Sequence, residues 1–106
     1  MPLFLDEHDG GRGLTAGDVA RLHRRDVELQ DRWGVQFRDY WFEPRTGAFF
    51  CLVEAPAREA VEAVHRAAHG LLARRIVEVR DGLPTWAAAA SDGAGEAERE
   101  GAGDPE

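Results

Sequence analysis

Lysine is missing from this 106-residue chain, so its thirteen basic residues are all arginine. Cysteine occurs once, at Cys51, which excludes an internal disulfide and every metal site built on several thiolates. No apolar run approaches the ~18–20 residues of a membrane span. Nor does the start carry a basic leader with an apolar stretch behind it. A cytoplasmic, soluble protein with no membrane partner is expected. A basic surplus is missing as well. The formal net charge is −7, but residues 1–80 hold thirteen acids against twelve arginines, a net −1, and residues 81–106 hold seven acids against one arginine, a net −6. The near-neutral front part has nothing to spare for a phosphate backbone, so nucleic acid is not an expected partner. The all-arginine, alanine-rich usage reads first as the mark of a G+C-rich genome.

What is present suffices for one domain with a modest core: 43% of residues are hydrophobic and 31% charged. Residues 87–106 are dominated by Ala, Gly and acids and contain no large apolar side chain. Such a stretch cannot bury enough surface to offset the entropy of ordering it. A folded domain over 1–86 followed by a disordered acidic tail over 87–106 is therefore expected.

The body reads strand, helix, strand, strand, helix, strand. Residues 2–9 alternate as a strand and end at Gly10-Gly11-Arg12-Gly13. Thr15, with Asp18 three residues on, predicts a helix N-terminus, and Gly34 a stop after Trp33. Aromatic and β-branched residues over 35–43 and 48–55 flank the turn residues Pro44-Arg45-Thr46-Gly47. Pro56 opens a second helix that ends near Gly70, and residues 74–80 close as a strand. Two similar βαβ halves predict an α+β, ferredoxin-like βαββαβ fold: an antiparallel four-stranded sheet with two helices on one face. Phe49-Phe50-Cys51-Leu52-Val53 is apolar at both parities, which predicts burial on both faces of that strand. Two helices cover only one face of such a sheet. The other calls for a second copy, hence a homodimer joined through the sheet face.

Polar residues in apolar places carry the functional reading. On a wheel at ~100° per residue, Val19, Leu22, Leu29 and Trp33 define the apolar arc of the first helix, and His23, Asp26 and Gln30 fall inside it. An unpaired carboxylate there costs several kcal/mol or is driven neutral. Three such groups need one another or a charge between them. In the second helix His65 lies within the stripe of Val61, Val64, Ala68 and Leu72, with His69 one turn further on its margin. Histidines at i and i+4 point the same way and can hold one cation. His8 ends the first strand, with Asp6 two residues back on its face. Each histidine also has a plainer reading as a hydrogen-bonded core residue, and His69 near Gly70 suits a helix C-terminus electrostatically. Four independent plain explanations are harder to assemble than one metal. The candidate ligands are thus His8, His23, Asp26, His65 and His69. Imidazole and carboxylate without thiolate suit Ni²⁺, Zn²⁺, Co²⁺ or Cu²⁺. The glycine-rich loop lacks phosphate-loop spacing and reads as a connection. Cys51 reads as core, and Tyr40, Trp41, Phe42 and Phe50 as core or dimer packing, with a ligand pocket as the alternative.

These residues resemble a known group. Met1-Pro2-Leu3-Phe4-Leu5-Asp6-Glu7-His8, His23-Arg24-Arg25-Asp26, Tyr40-Trp41-Phe42, Phe50 to Pro56, Ala63 to Gly70 and Ile76 to Val79 together resemble the small bacterial nickel-binding proteins of a ferredoxin-like domain family of unknown function. The resemblance covers residues 1–80. It implies a dimeric α/β barrel and nickel held by histidine and acidic side chains. The expected function is nickel binding by a homodimer, serving sequestration or response without catalysis. By fold analogy, an alternative is a cofactor-free monooxygenase or isomerase with His23 or His65 as general base. A small-molecule sensing module acting through other proteins is a third.

Overall fold

The computed structural model describes residues 1–10 and 13–86 of the chain. The acidic tail expected over 87–106, and Gly11 and Arg12 of the glycine-rich loop, lie outside the described residues. Four strands and two helices follow the expected order: β1 (Leu3–His8), α1 (Ala16–Leu29), β2 (Gln36–Phe42), β3 (Phe49–Glu54), α2 (Arg58–Ala68) and β4 (Arg75–Val79). The sheet runs β2-β3-β1-β4 with every neighbouring pair antiparallel, so the first strands of the two βαβ halves lie side by side at its centre. This is the ferredoxin-like arrangement.

Local chemistry explains the boundaries. Thr15 Oγ1 accepts from the Asp18 N–H at 3.1 Å and Asp18 Oδ2 accepts from the Thr15 N–H at 2.9 Å, a reciprocal capping box. The helix expected to run to Trp33 ends instead at Leu29, and its last turn tightens to a 3₁₀ helix over Gln30–Trp33. The cause is Gln30. Its backbone carbonyl accepts from the Val35 N–H at 3.2 Å and its side-chain Oε1 from the Phe37 N–H at 2.9 Å, tying the helix end to β2. That bond also accounts for Gln30 lying in the apolar arc. The second helix begins at Arg58 rather than Pro56 because Ala57 is extended, at φ −160° and ψ 161°.

Alternation along the central strands sorts side chains between two faces. Phe4, Asp6 and His8 of β1, and Phe49, Cys51 and Val53 of β3, are buried beneath the helices. Apolar residues there form two groups: one of Phe4, Val35, Val53, Ala55, Val61, Val64 and Ile76, the other of Val19, Phe49 and Cys51. On the open face the register lines up Trp41, Phe50, Glu7 and Arg75 in one row and Asp39, Leu52, Leu5 and Val77 in the next. Phe50, Leu52, Leu5 and Val77 are half-buried, whereas Trp41 is 47% exposed. Among the described residues no helix is long and apolar enough to cross a membrane.

Beyond His8 the chain passes against the β2–β3 turn. A Cβ at Gly10 would lie 1.8 Å from the Gly47 carbonyl oxygen, while Gly47 itself adopts φ +81°. Gly10→Ala is expected to push the two backbones apart and destabilise the domain by about 1–3 kcal/mol, measurable by urea unfolding. An unchanged midpoint would show that the loops pass without constraint.

Candidate metal centre

Four buried polar residues stand out against this core: Asp6, His8, Asp26 and His65. Two come from one strand. Asp6 and His8 are two apart in β1 and so share the helix-facing side. The other two descend from the helices. Asp26 is buried in α1, where the wheel placed it, and His65 is buried in α2, with His69 at the C-terminal cap of that helix.

The side chains meet in a continuous chain. His65 Nε2 lies 2.7 Å from Asp6 Oδ2, and His65 Nδ1 lies 3.1 Å from Asp26 Oδ1. His69 Nε2 is 3.1 Å from Asp26 Oδ1 and 3.2 Å from its Oδ2. The Cys51 backbone N–H donates to Asp6 Oδ1 at 3.2 Å, across the register that pairs the two residues. His8 stacks on Phe49 with ring centroids 4.3 Å apart and planes within 4°, and meets His65 edge-on at 4.6 Å.

His8 is the exception in this group. Its Nε2 comes within 3.0 Å of Asp6 Oδ1, but neither ring nitrogen is aligned in a hydrogen bond, and the residue is 1% exposed. Leaving a buried polar group unmet costs about 1–3 kcal/mol. The other imidazoles of the cluster are hydrogen-bonded; this one points at a carboxylate off axis.

Electrostatics follow from burial and pairing. Burial raises the Asp6 carboxyl, but His65 and His8 together outweigh it and bring the pKa to about 2. Burial lowers His65, yet its two carboxylate partners, Asp26 and Asp6, overcome this and raise it to about 9. Asp26 is likewise held below the usual carboxylate range: burial opposes that, and His65 and His69 prevail. At neutral pH the centre of the cluster is an imidazolium between two carboxylates. Burial pushes the Cys51 thiol well above its ordinary range, and Asp6 and Asp26 push it further.

Two overlapping sets of donors result. Asp6, His8, Cys51 and His65 each offer a ligand atom within 4.8 Å of the others, as do Asp26, His65 and His69. Ligand atoms ~2.1 Å from one ion sit roughly 3–4 Å from one another, so modest inward shifts would let either set share a cation. Of the residues singled out from sequence, His8, Asp26, His65 and His69 are thus brought together. His23 falls in neither set. It stacks on Tyr40 at 4.2 Å, half-buried, with its Nδ1 buried and unpartnered, and Asp26 turns to His65 and His69 instead. Burial lowers the His23 pKa, with Asp26 and Asp39 opposing. Asp6 and Cys51 join the donor set without having been among the candidates. The alternation that places Asp6 on the face of His8 was a visible signal for the first. For Cys51 the signal is the β1–β3 register, which a single sequence does not display.

Fold and site together define a class: a ferredoxin-like domain whose helix-covered sheet face buries imidazoles and carboxylates able to hold a metal ion. The chain belongs to the nickel responsive protein SCO4226-like family, whose profile matches residues 4–79. It is similar to the crystal structure of SCO4226 from Streptomyces coelicolor A3(2), with 34% sequence identity over 76% of this chain and 99% of that one, at a TM-score of 0.70. No curated protein matches the sequence.

Proposed function

We propose that this chain binds a divalent cation in the buried cluster, Ni²⁺ foremost among Ni²⁺, Zn²⁺, Co²⁺ and Cu²⁺, and that it serves nickel sequestration or response as a cytoplasmic homodimer. The observation that carries the reading is His8, an imidazole shut away from water whose Nδ1 has no partner and whose Nε2 lies 3.0 Å from an Asp6 carboxylate oxygen without being aligned on it. A cation is the partner that such a ring lacks. Charge supports it. Asp6, Asp26 and protonated His65 sum to −1, and one dication taken up in exchange for the His65 proton brings the three groups and the ion to neutrality. Imidazole and carboxylate donors suit nickel and its neighbours, and the family's description points to nickel among them. Catalysis fits less well. His65 and Asp26 have the spacing of a base and its orienter, but the second nitrogen of His65 is held by Asp6 and the ring is fully buried.

Calorimetric titration of tag-free, chelated protein tests this directly. Stoichiometric uptake of Ni²⁺ near neutral pH is expected, and ion at ~100 times its Kd should add about 2.7 kcal/mol to the unfolding free energy. His8→Leu should weaken uptake steeply while leaving a folded protein, because it removes an unsatisfied ring and retains an apolar contact for Phe49. No stoichiometric binding of any of the four ions by the unaltered chain would reject the proposal. The dimer rests on the half-buried apolar rows of the open face, which a second copy packed sheet to sheet would cover. Light scattering should report twice the 11.7 kDa chain mass, and Leu52→Asp, at the middle of a row, should return a monomer.

A further inference from the structure

His69 and Asp26 carry donor atoms close enough to share an ion with His65, and the i, i+4 spacing on α2 invites reading both histidines as ligands. The hydrogen bonds around them divide the work differently. Gly70, at φ +80°, turns the chain as α2 ends, and the Leu71 backbone N–H then donates to His69 Nδ1 at 3.0 Å. Nδ1 must present its lone pair to that donor, so the ring proton sits on Nε2. Nε2 donates it into the Asp26 carboxylate, 3.1 Å from one oxygen and 3.2 Å from the other. A metal on Nε2 would need the lone pair there and the proton on Nδ1, which would set two N–H donors against each other at Leu71. Asp26 also takes the hydrogen of His65 Nδ1, at 3.1 Å. The opposite nitrogen of His65, Nε2, faces Asp6, in the set that includes the unsatisfied His8.

We infer that Asp26 and His69 are positioning residues rather than ligands: His69 holds Asp26, Asp26 holds the Nδ1–H of His65, and His65 presents Nε2 to the cation beside Asp6 and His8. This rests on the cation-binding reading above. A metal-bound histidine that donates its far N–H to a carboxylate is fixed in tautomer and ring orientation and is a stronger electron donor. His69 extends that line by one member and keeps both Asp26 oxygens directed at imidazole N–H groups.

The full chain loaded with Co²⁺ tests the assignment, because visible d–d bands report the number and type of atoms bound to the ion. Asp26→Asn and His69→Gln should keep the band positions of the unaltered protein while Ni²⁺ affinity falls about 10–100-fold. His69→Gln, whose amide N–H can still reach Asp26, should lose less affinity than His69→Ala. His8→Ala should shift the bands. In the metal-free protein, nitrogen-15 NMR of the histidine rings should find the His69 proton on Nε2, a measurement that needs no variant to fold. Bands displaced in Asp26→Asn or His69→Gln as they are in His8→Ala, or a His69 proton on Nδ1, would overturn the assignment and leave cation binding intact. An unaltered chain that takes up neither ion would overturn both.

Discussion

Metal-free protein carrying His65→Leu is expected to lose about 3–5 kcal/mol of stability, the cost of removing one partner from a buried ion pair. His65 lies between Asp6 and Asp26 at 2.7 and 3.1 Å, all three shut away from water. Without the imidazolium two carboxylates face each other in a dry core, and at least one must take up a proton or draw in water. A domain of this size has a total stability of only about 5–15 kcal/mol, so the loss is a large fraction of what keeps it folded. Urea unfolding followed by tryptophan fluorescence measures the loss. Adding Asp6→Asn to His65→Leu should recover part of it, since the second change removes one stranded charge. A single variant as stable as the parent would show that the three groups are not buried together as charges.

Between about pH 6.5 and 9, acid should steady the empty protein and weaken its hold on the cation. In the empty protein His65 is raised from 6.5 to about 9, so its contribution is complete below pH 6.5 and disappears as pH climbs through about 9. Asp6 is lowered from 3.8 to about 2, so its contribution is complete above pH 3.8 and disappears as pH falls towards about 2. The empty protein should therefore be most stable from about pH 4 to 6.5. The alkaline loss should approach ~3 kcal/mol, at about 1.4 kcal/mol per pH unit. The acid and alkaline limbs describe one Asp6–His65 interaction from its two ends. A cation on His65 Nε2 must displace a proton, so Ni²⁺ affinity should rise about tenfold per pH unit until His65 loses that proton near pH 9. Titrations at three pH values between about 6 and 8 would show the slope. Affinity independent of pH there would remove His65 from the ligands.

Much of the fold was legible because its causes are local. Thr15 and Asp18 cap α1 within four residues, Gly34 stops the first helical segment at φ +66°, and Gly47 turns the β2–β3 hairpin at φ +81°. Helix ends were less legible where a distant bond set them: Gln30 shortens α1 by reaching Phe37. The site divides in the same way. His65 and Asp26 announced themselves as polar residues on apolar helix faces. His23 did so equally, yet it stacks on Tyr40 outside both donor sets, because a helical wheel fixes direction around the axis and not the element that each side chain meets. Asp6 and Cys51 are set opposite each other by strand register, a pairing between residues 45 positions apart.

By itself, then, the order of residues determined most of the side chains that would turn inward, the half-buried His23 and the exposed Leu72 excepted, since strand and helix periods depend only on neighbours along the chain. It also settled that imidazoles and acids would be among them. Tertiary structure decided who meets whom: that His65 stands between two carboxylates contributed by β1 and α1, that His8 of β1 stacks on Phe49 of β3, and that His69 at the end of α2 reaches Asp26 of α1. Those outcomes depend on distances between elements, which arise only when sheet and helices pack.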